Sequence, residues 1–333
     1  MGETAGIAQI AEIISDQIFS EFLWTKIGPV NVDFKCDNYE SHKVATHPTD
    51  VVFYYDEPYD DVTTYVQCDL KSYAAASIGR SQIEKAIVSL SAQVACAEIS
   101  AEWQERYVHK HKDFSVSGLL FIYNHDGGYD RTFGDNLEKL DFDDLHTPKN
   151  GKLVVLGPAE IHWLNNVSQE ILRMRGRSGA ARLPDRGACS FFYPQTVRRA
   201  QLRGKQRCAA SLEMLTGPWI ILQYDGNSER KAGLVVFYRS PGETVDEFLY
   251  LLDYMRQHGL FDLERQIFIR SIDKAGTSLQ NFQKARLHYI EAMGATDEGK
   301  NSLLDVLNNI RFELINNVIS TFSEIQIGMS YDG

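Results

Sequence analysis

Two apolar, β-rich runs, Val51-Val52-Phe53-Tyr54-Tyr55 and Tyr65-Val66-Gln67-Cys68, flank the acidic loop Asp56-Glu57-Pro58-Tyr59-Asp60-Asp61. That pattern predicts an antiparallel hairpin, with the loop's proline and acids marking the reversal. Pairing symmetric about the Tyr59–Asp60 bond sets residue i opposite residue 119 − i, which places Asp50 across from Asp69. Upstream, Ile7, Ile10, Ile14 and Ile18 form an apolar stripe in a predicted helix at 5–23, and 30–36 is a possible first strand. Downstream, Ser81-Gln82-Ile83-Glu84 has the form of a capping box opening a helix at 81–101, with Ile83, Ile87, Leu90, Val94 and Ala97 on one face. Residues 117–123 then form a strand.

Beyond about residue 150 the pattern changes. Residues 153–156 are a short strand candidate, and 173–190 reads as a loop rich in Gly, Ala, Ser and Arg. Strands at 219–224 and 233–238 enclose the turn-forming Asp225-Gly226-Asn227. A helix follows at 244–257, ending at Gly259, then a strand at 267–269 and helices at 277–292 and 301–325. In the last helix Leu303, Leu304, Leu307, Ile310, Leu314, Val318 and Phe322 form the apolar side. The chain is therefore expected to be α/β with a mixed sheet over residues 1–160, followed by an α+β domain over residues 161–333.

The predicted hairpin concentrates chemistry. Side chains two apart on a strand share a face, so Lys71 points with Asp69. Two carboxylates and an ammonium then occupy one patch. Mg²⁺ prefers oxygen ligands and is usually held by one or two carboxylates plus waters and substrate phosphate. Asp50 and Asp69 fit that role, the Leu70 carbonyl offers a third oxygen, and Lys71 would orient or activate water or bind the phosphate. Acid-x-Lys recurs at Asp33-Phe34-Lys35, Glu229-Arg230-Lys231 and Glu298-Gly299-Lys300, but only Asp69-Leu70-Lys71 closes an apolar strand with an acid placed opposite. The structural alternative is a turn aspartate followed by a solvent-facing ion pair.

With Asp50 and Asp69-Leu70-Lys71 in this order of elements, residues 1–125 resemble the PD-(D/E)XK nuclease superfamily, the restriction-endonuclease-like fold with an αβββαβ core. Thr49 separates Pro48 from Asp50, a departure from the plainest motif that leaves both carboxylates in place. The resemblance implies metal-dependent phosphodiester hydrolysis with Mg²⁺, for which Mn²⁺ can substitute. It also implies supporting residues. A first-helix Glu would be Glu12 or Glu21, which face opposite sides at about 100° per residue; Glu12 lies beside the apolar stripe and is preferred. Gln82, or Gln67 on the Asp69 face, would be the helper found near the lysine strand, and Arg80 would meet a phosphate at the following helix start.

Composition adds limits. No apolar run approaches the roughly 18 residues of a membrane span, and a cytoplasmic protein is the default expectation. The five cysteines, Cys36, Cys68, Cys96, Cys189 and Cys208, are scattered, and neither they nor the nine histidines form a metal-binding spacing, so reduced buried thiols are expected in place of zinc. No phosphate-binding Gly-x₄-Gly-Lys loop occurs, which leaves ATP hydrolysis to a separate subunit.

Net charge is −11, yet Arg173, Arg175, Arg177, Arg182, Arg186, Arg198, Arg199, Arg203, Lys205 and Arg207 stand against Asp185 alone, so that segment carries +9. Such a tract suggests a polyanion contact, with Phe191, Phe192 and Tyr193 positioned to stack on bases. Internal pairing with the acidic remainder, an acidic partner or a flexible loop are the competing readings. Taken with the resemblance, which implies a setting in restriction or anti-phage defence, the expectation is a DNA endonuclease gated by an ATPase, helicase or sensor subunit, with room for a homo-oligomer. An inactive nuclease-like scaffold and an RNase with the same core are the alternatives.

Overall fold

A computed structural model describes residues 2–109, 113–138, 140, 145, 148, 150–179, 182–196, 207–228, 230–272, 275–294 and 296–319, with side chains of the first helix described from residue 11. The chain divides into two compact units, Met1–Ser168 with Ile319–Gly333, and Gln169–Val318.

The first unit opens with α1 (Gly2–Glu21), β1 (Thr25–Ile27), β2 (Phe34–Lys35), α2 (Tyr39–His42) and β3 (Thr46–His47). The hairpin strands are β4 (Val51–Asp56) and β5 (Thr63–Tyr73), followed by α3 (Arg80–Ile99), α4 (Ala101–Tyr107), β6 (Phe114–Asn124), α5 (Gly134–Leu137), β7 (Leu153–Leu156) and the start of α6 (Pro158–Arg175), whose residues from Gln169 belong to the second unit. Its main sheet has the order β1-β4-β5-β6-β7. The first two pairings are antiparallel and the last two parallel. This is a mixed sheet in an α/β unit.

Strand alternation sorts the two faces. On one face Phe53 and Phe121 meet Phe19 of α1. On the other, Val52, Tyr65, Leu120 and Ile122 pack with Ile83, Ile87, Leu90 and Val94 of α3. The hairpin register pairs Val51 with Cys68 and Val52 with Gln67, the alignment expected from the sequence. Asp50, one residue before β4, is therefore level with Asp69 on the α3 face.

Two local expectations need correction. The first strand of the main sheet is β1, because Trp24 stacks on both Phe19 and Tyr55 and seats residues 25–27 beside β4. The expected strand at 30–36 pairs elsewhere: Phe34 and Lys35 form a separate two-stranded sheet with His47 and Thr46. Its ladder extends through Asn31 N–H to Asp50 O (2.9 Å), Val32 N–H to Thr49 O (3.1 Å) and Cys36 N–H to Ala45 O (3.0 Å). The capping box at Ser81 does not form, since Gly79 caps α3 and no side chain does so. Ile78 and Ile83, both buried, staple the chain across that cap and fix the helix start ahead of Ser81.

The second unit holds β8 (Cys189–Phe191), α7 (Leu212–Thr216), β9 (Trp219–Tyr224), β10 (Gly233–Tyr238), α8 (Val245–Gln257), β11 (Gln266–Ser271), α9 (Ser278–Met293), α10 (Asp297–Asn308) and β12 (Ile310–Leu314). Strand order is β12-β11-β10-β9-β8. The Thr244–Glu247 capping box starts α8, and Gly259 takes the left-handed conformation (φ +66°) just beyond its end.

Among the described residues the helix expected at 301–325 does not continue past Asn308. α10 ends at Asn308, and Ile310, Phe312 and Leu314 alternate with charged residues in a parallel strand beside β11. Asn309 Nδ2 donates to Arg265 O at 2.7 Å and holds the break. Phe322 lies outside the described residues. A helix not expected from the sequence, α6, starts at Pro158 and buries Ile161, Leu164, Val167, Ile171 and Met174.

Candidate functional site

The site is built where β5 outruns β4. Val51–Cys68 is the last strand pair, so the edge of β5 beyond Cys68 has no neighbour from β4. Asp50 fills the gap: its Oδ2 accepts the Leu70 N–H at 2.7 Å. A strand residue directs its N–H and C=O to the same edge, so the Leu70 carbonyl faces the Asp50 side as well.

Asp50 is positioned by the turn before it. Buried Gln67 Nε2 donates to Pro48 O (3.0 Å) and lies 3.3 Å from both Thr49 Oγ1 and Gln93 Oε1. Gln67 Oε1 accepts from Trp103 Nε1 at 3.1 Å. The Gln67 carboxamide thus ties the Asp50 turn to α3 and α4. It holds the site's frame and does not enter the site.

Asp69 is 3% exposed. Its Oδ1 takes the Lys71 ammonium, while its buried Oδ2 accepts no hydrogen bond. A buried carboxylate oxygen without a donor calls for a cation or proton. Asp50 shows the same need. Burial, and then the Asp69 charge, lift its carboxyl from 3.8 to about 6, against the opposing pull of the Leu70 N–H and Lys71. Burial also works against the Lys71 charge, but Asp69 and Asp50 outweigh it and raise the ammonium above the usual lysine range. The patch is short of positive charge and its oxygens converge. Those are the conditions for a hard divalent ion.

Residues 1–160 match the family model of the GAPS4 protein PD-(D/E)XK nuclease domain. This region is a PD-(D/E)XK nuclease domain. Nucleases of this superfamily generally use divalent metals. No significant match is found among curated proteins or solved structures.

Within the nuclease domain, Asp50, Asp69, Leu70 and Lys71 come together. Glu12 pairs with Lys26 Nζ at 2.9 Å, and among the described residues no contact joins it to either aspartate. Glu21 is buried, at 1% exposure. Gln82 and Arg80 are exposed in the first turn of α3.

The arginine tract divides by environment. Arg173 pairs with Glu170 (3.2 Å) and donates to Asn317 O (2.8 Å), and Arg175 Nε donates to Pro184 O. Arg177 reaches both Glu170 and Glu313, the latter also bound by buried Arg270. For these arginines internal pairing describes what the side chains do. Arg182, Arg186 and Arg207 are exposed, and Arg198, Arg199, Arg203 and Lys205 lie outside the described residues. The aromatic residues expected to stack on bases are instead part of the core. Phe191 is fully buried, Phe192 packs on the second core, and Tyr193 donates to Ala209 O at 2.8 Å while accepting from Ser211 N–H.

A convergence of cysteine and histidine was not expected from the sequence. Cys36, His42, His47 and Cys96 place one ligand atom each within 4.8 Å of one another, against the expectation drawn from their spacing.

Proposed function

We propose that this chain is a Mg²⁺-dependent endonuclease that cuts DNA, and that it serves restriction or anti-phage defence. The observation that carries the reading is the Asp50–Asp69 pair, facing across the end of the hairpin with a donorless buried oxygen and Lys71 alongside. Asp50, Asp69 and the Leu70 carbonyl would hold the ion, with Mn²⁺ able to replace it. The ion supplies charge neutralisation at the scissile phosphate and a more acidic water.

The protein's own groups do the remaining work. Asp50 and Asp69 fix the position of the positive charge relative to the strand edge. The raised Lys71 pKa keeps it cationic at neutral pH, which favours a phosphate-binding and charge-stabilising role over that of a base. Gln67 keeps the Asp50 turn rigid, so the two carboxylates need little rearrangement on binding.

DNA would be held by the exposed arginines Arg182 and Arg207 together with the segment 198–205, because Arg173, Arg175 and Arg177 already have internal partners. A net charge of −11 opposes indiscriminate DNA binding, and this supports control by a partner such as an ATPase, helicase or sensor subunit.

The test has two arms. Calorimetric titration with Mn²⁺ should show a site that Asp69→Asn removes. Plasmid DNA incubated with Mg²⁺ should be cut by the wild type, alone or with its partner, and not by Asp69→Asn or Lys71→Ala, with RNA assayed in parallel. Mn²⁺ binding that is indifferent to Asp69 would refute the metal site, and cutting that survives both variants would refute the mechanism.

A further inference from the structure

The nuclease domain carries a second constellation that the proposed reaction does not use. Cys36 follows β2, His42 ends α2, His47 ends β3, and Cys96 lies in the last turns of α3. Three of the four are buried and His42 is half-buried. Their atoms are grouped closely. Cys36 Sγ and Cys96 Sγ are 3.8 Å apart, and His42 Nδ1 lies 3.5 and 3.3 Å from them. His47 Nε2 is 3.3 Å from His42 Nδ1, and its distances to the sulfurs are no more than 4.8 Å.

Hydrogen bonding does not account for this grouping. An imidazole nitrogen has a single hydrogen or a single lone pair, so His42 Nδ1 can satisfy only one of its three neighbours. A disulfide does not account for it either, because both sulfurs are free thiols at 3.8 Å, against about 2.05 Å in a bond. Tetrahedral zinc does. Zn–S near 2.3 Å and Zn–N near 2.05 Å require edges of about 3.8 Å for S···S, about 3.6 Å for S···N and about 3.4 Å for N···N. The four interatomic distances lie within a few tenths of an ångström of those edges.

We infer that Cys36, His42, His47 and Cys96 form a structural zinc site that clamps the β2–β3 insert onto α3. Two thiolates neutralise Zn²⁺, so the closed site is uncharged and suited to burial, and both thiol protons leave on binding. His42 coordinates through Nδ1 and carries its proton on Nε2; His47 coordinates through Nε2 and carries its proton on Nδ1. Soft sulfur with imidazole selects zinc over Mg²⁺, which separates this centre chemically from the all-oxygen site at Asp50 and Asp69.

The clamp lies close to the catalytic strand in sequence and in hydrogen bonding. His47 is three residues before Asp50, and the intervening Thr49 is hydrogen-bonded through its backbone to Val32, two residues before β2. Zinc would fix one end of the segment that delivers Asp50 and leave chemistry to the other site. Four protein ligands complete the tetrahedron and leave no open position for substrate.

Elemental analysis of the full chain, purified from zinc-supplemented medium without chelator, should find one equivalent of zinc per chain. The Asp50→Asn/Asp69→Asn double variant should retain it. Replacement by Co²⁺ should give the intense d–d bands of a tetrahedral ion and a thiolate charge-transfer band. Cys96→Ser should lose the metal. Should that variant fail to fold, His42→Cys keeps a four-ligand shell and should bind Co²⁺ with a stronger charge-transfer band. Zinc-free wild-type protein without thiolate–cobalt bands would overturn the inference. So would a Cys36–Cys96 disulfide found by mass spectrometry of the unreduced chain, or zinc lost with the aspartate pair and kept in Cys96→Ser.

Discussion

Asp50→Asn should stabilise the protein in buffer free of Mg²⁺ and Mn²⁺, although it removes a residue assigned to the catalytic centre. In the fold, burial and Asp69 raise the Asp50 carboxyl from 3.8 to about 6. The folded state therefore keeps its proton where the unfolded chain has already lost it. Stability from this group is fully present below pH ~4, declines as pH rises towards 6, and is gone above. A shift of about two units, at 1.36 kcal/mol each, sets a ceiling of about 3 kcal/mol. The asparagine carbonyl can still accept the Leu70 N–H, so the variant mainly removes the charge. Urea unfolding of both proteins at pH 4.5 and 7.5 measures this directly, and the informative quantity is the difference between them at each pH. The variant should be about 1 kcal/mol more stable than wild type at the lower pH, where the unfolded carboxyl has begun to ionise, and about 3 kcal/mol more stable at the higher. Adding Mn²⁺ should then stabilise wild type and not the variant. A wild-type advantage at pH 7.5 without metal, or a difference independent of pH, would refute the electrostatic argument.

Other groups give sharper tests of individual roles. Lys71→Ala should lower cleavage on the order of 100-fold or more, since it removes a positive charge from the transition state, while gel-shift affinity for DNA changes little. Gln67→Ala leaves Trp103 Nε1 without its acceptor; a cost of about 2–3 kcal/mol in denaturant unfolding, accompanied by loss of cutting, would confirm its positioning role, and an unchanged midpoint would disprove it. Arg177→Ala should destabilise the second unit by about 1–2 kcal/mol, because Glu170 is buried and loses a partner, with the salt dependence of DNA binding unaltered. Reversing Arg182 and Arg207 to Glu should instead weaken binding and flatten that dependence by about one unit for each phosphate no longer neutralised; an unchanged slope would remove the tract from the DNA interface.

The sequence made the hairpin that carries the candidate site legible because its geometry is local. Two apolar runs and a turn between them fix a register, and that register brings Asp50 and Asp69 level without any knowledge of the rest of the chain. β12 was less accessible. Leu303, Leu307, Ile310 and Leu314 fit a helical stripe, yet Ile310-Arg311-Phe312-Glu313-Leu314 also alternates as a strand. Pairing with β11 decides between the two, and that partner lies more than forty residues away. α6 had a readable signal, Pro158 at the first helical position ahead of Ile161, Leu164 and Ile171, which the glycine-rich residues after it obscured.

The two candidate metal centres show the same limit from opposite sides. Carboxylates on adjacent strands are found by reading a turn, whereas Cys36 and Cys96 are 60 positions apart and meet only because the β2–β3 insert folds against α3. Spacing rules for zinc describe ligands paired within one short loop, and here only His42 and His47 come near that form. The ladder from Asn31–Asp50 to Cys36–Ala45 connects the two cases. One end of it reaches the Asp50 turn, and the other carries Cys36 to Cys96. A segment that looked like part of the main sheet therefore pairs beside the Asp50 turn, and its failure to join that sheet is what brings the two sulfurs and two imidazoles together.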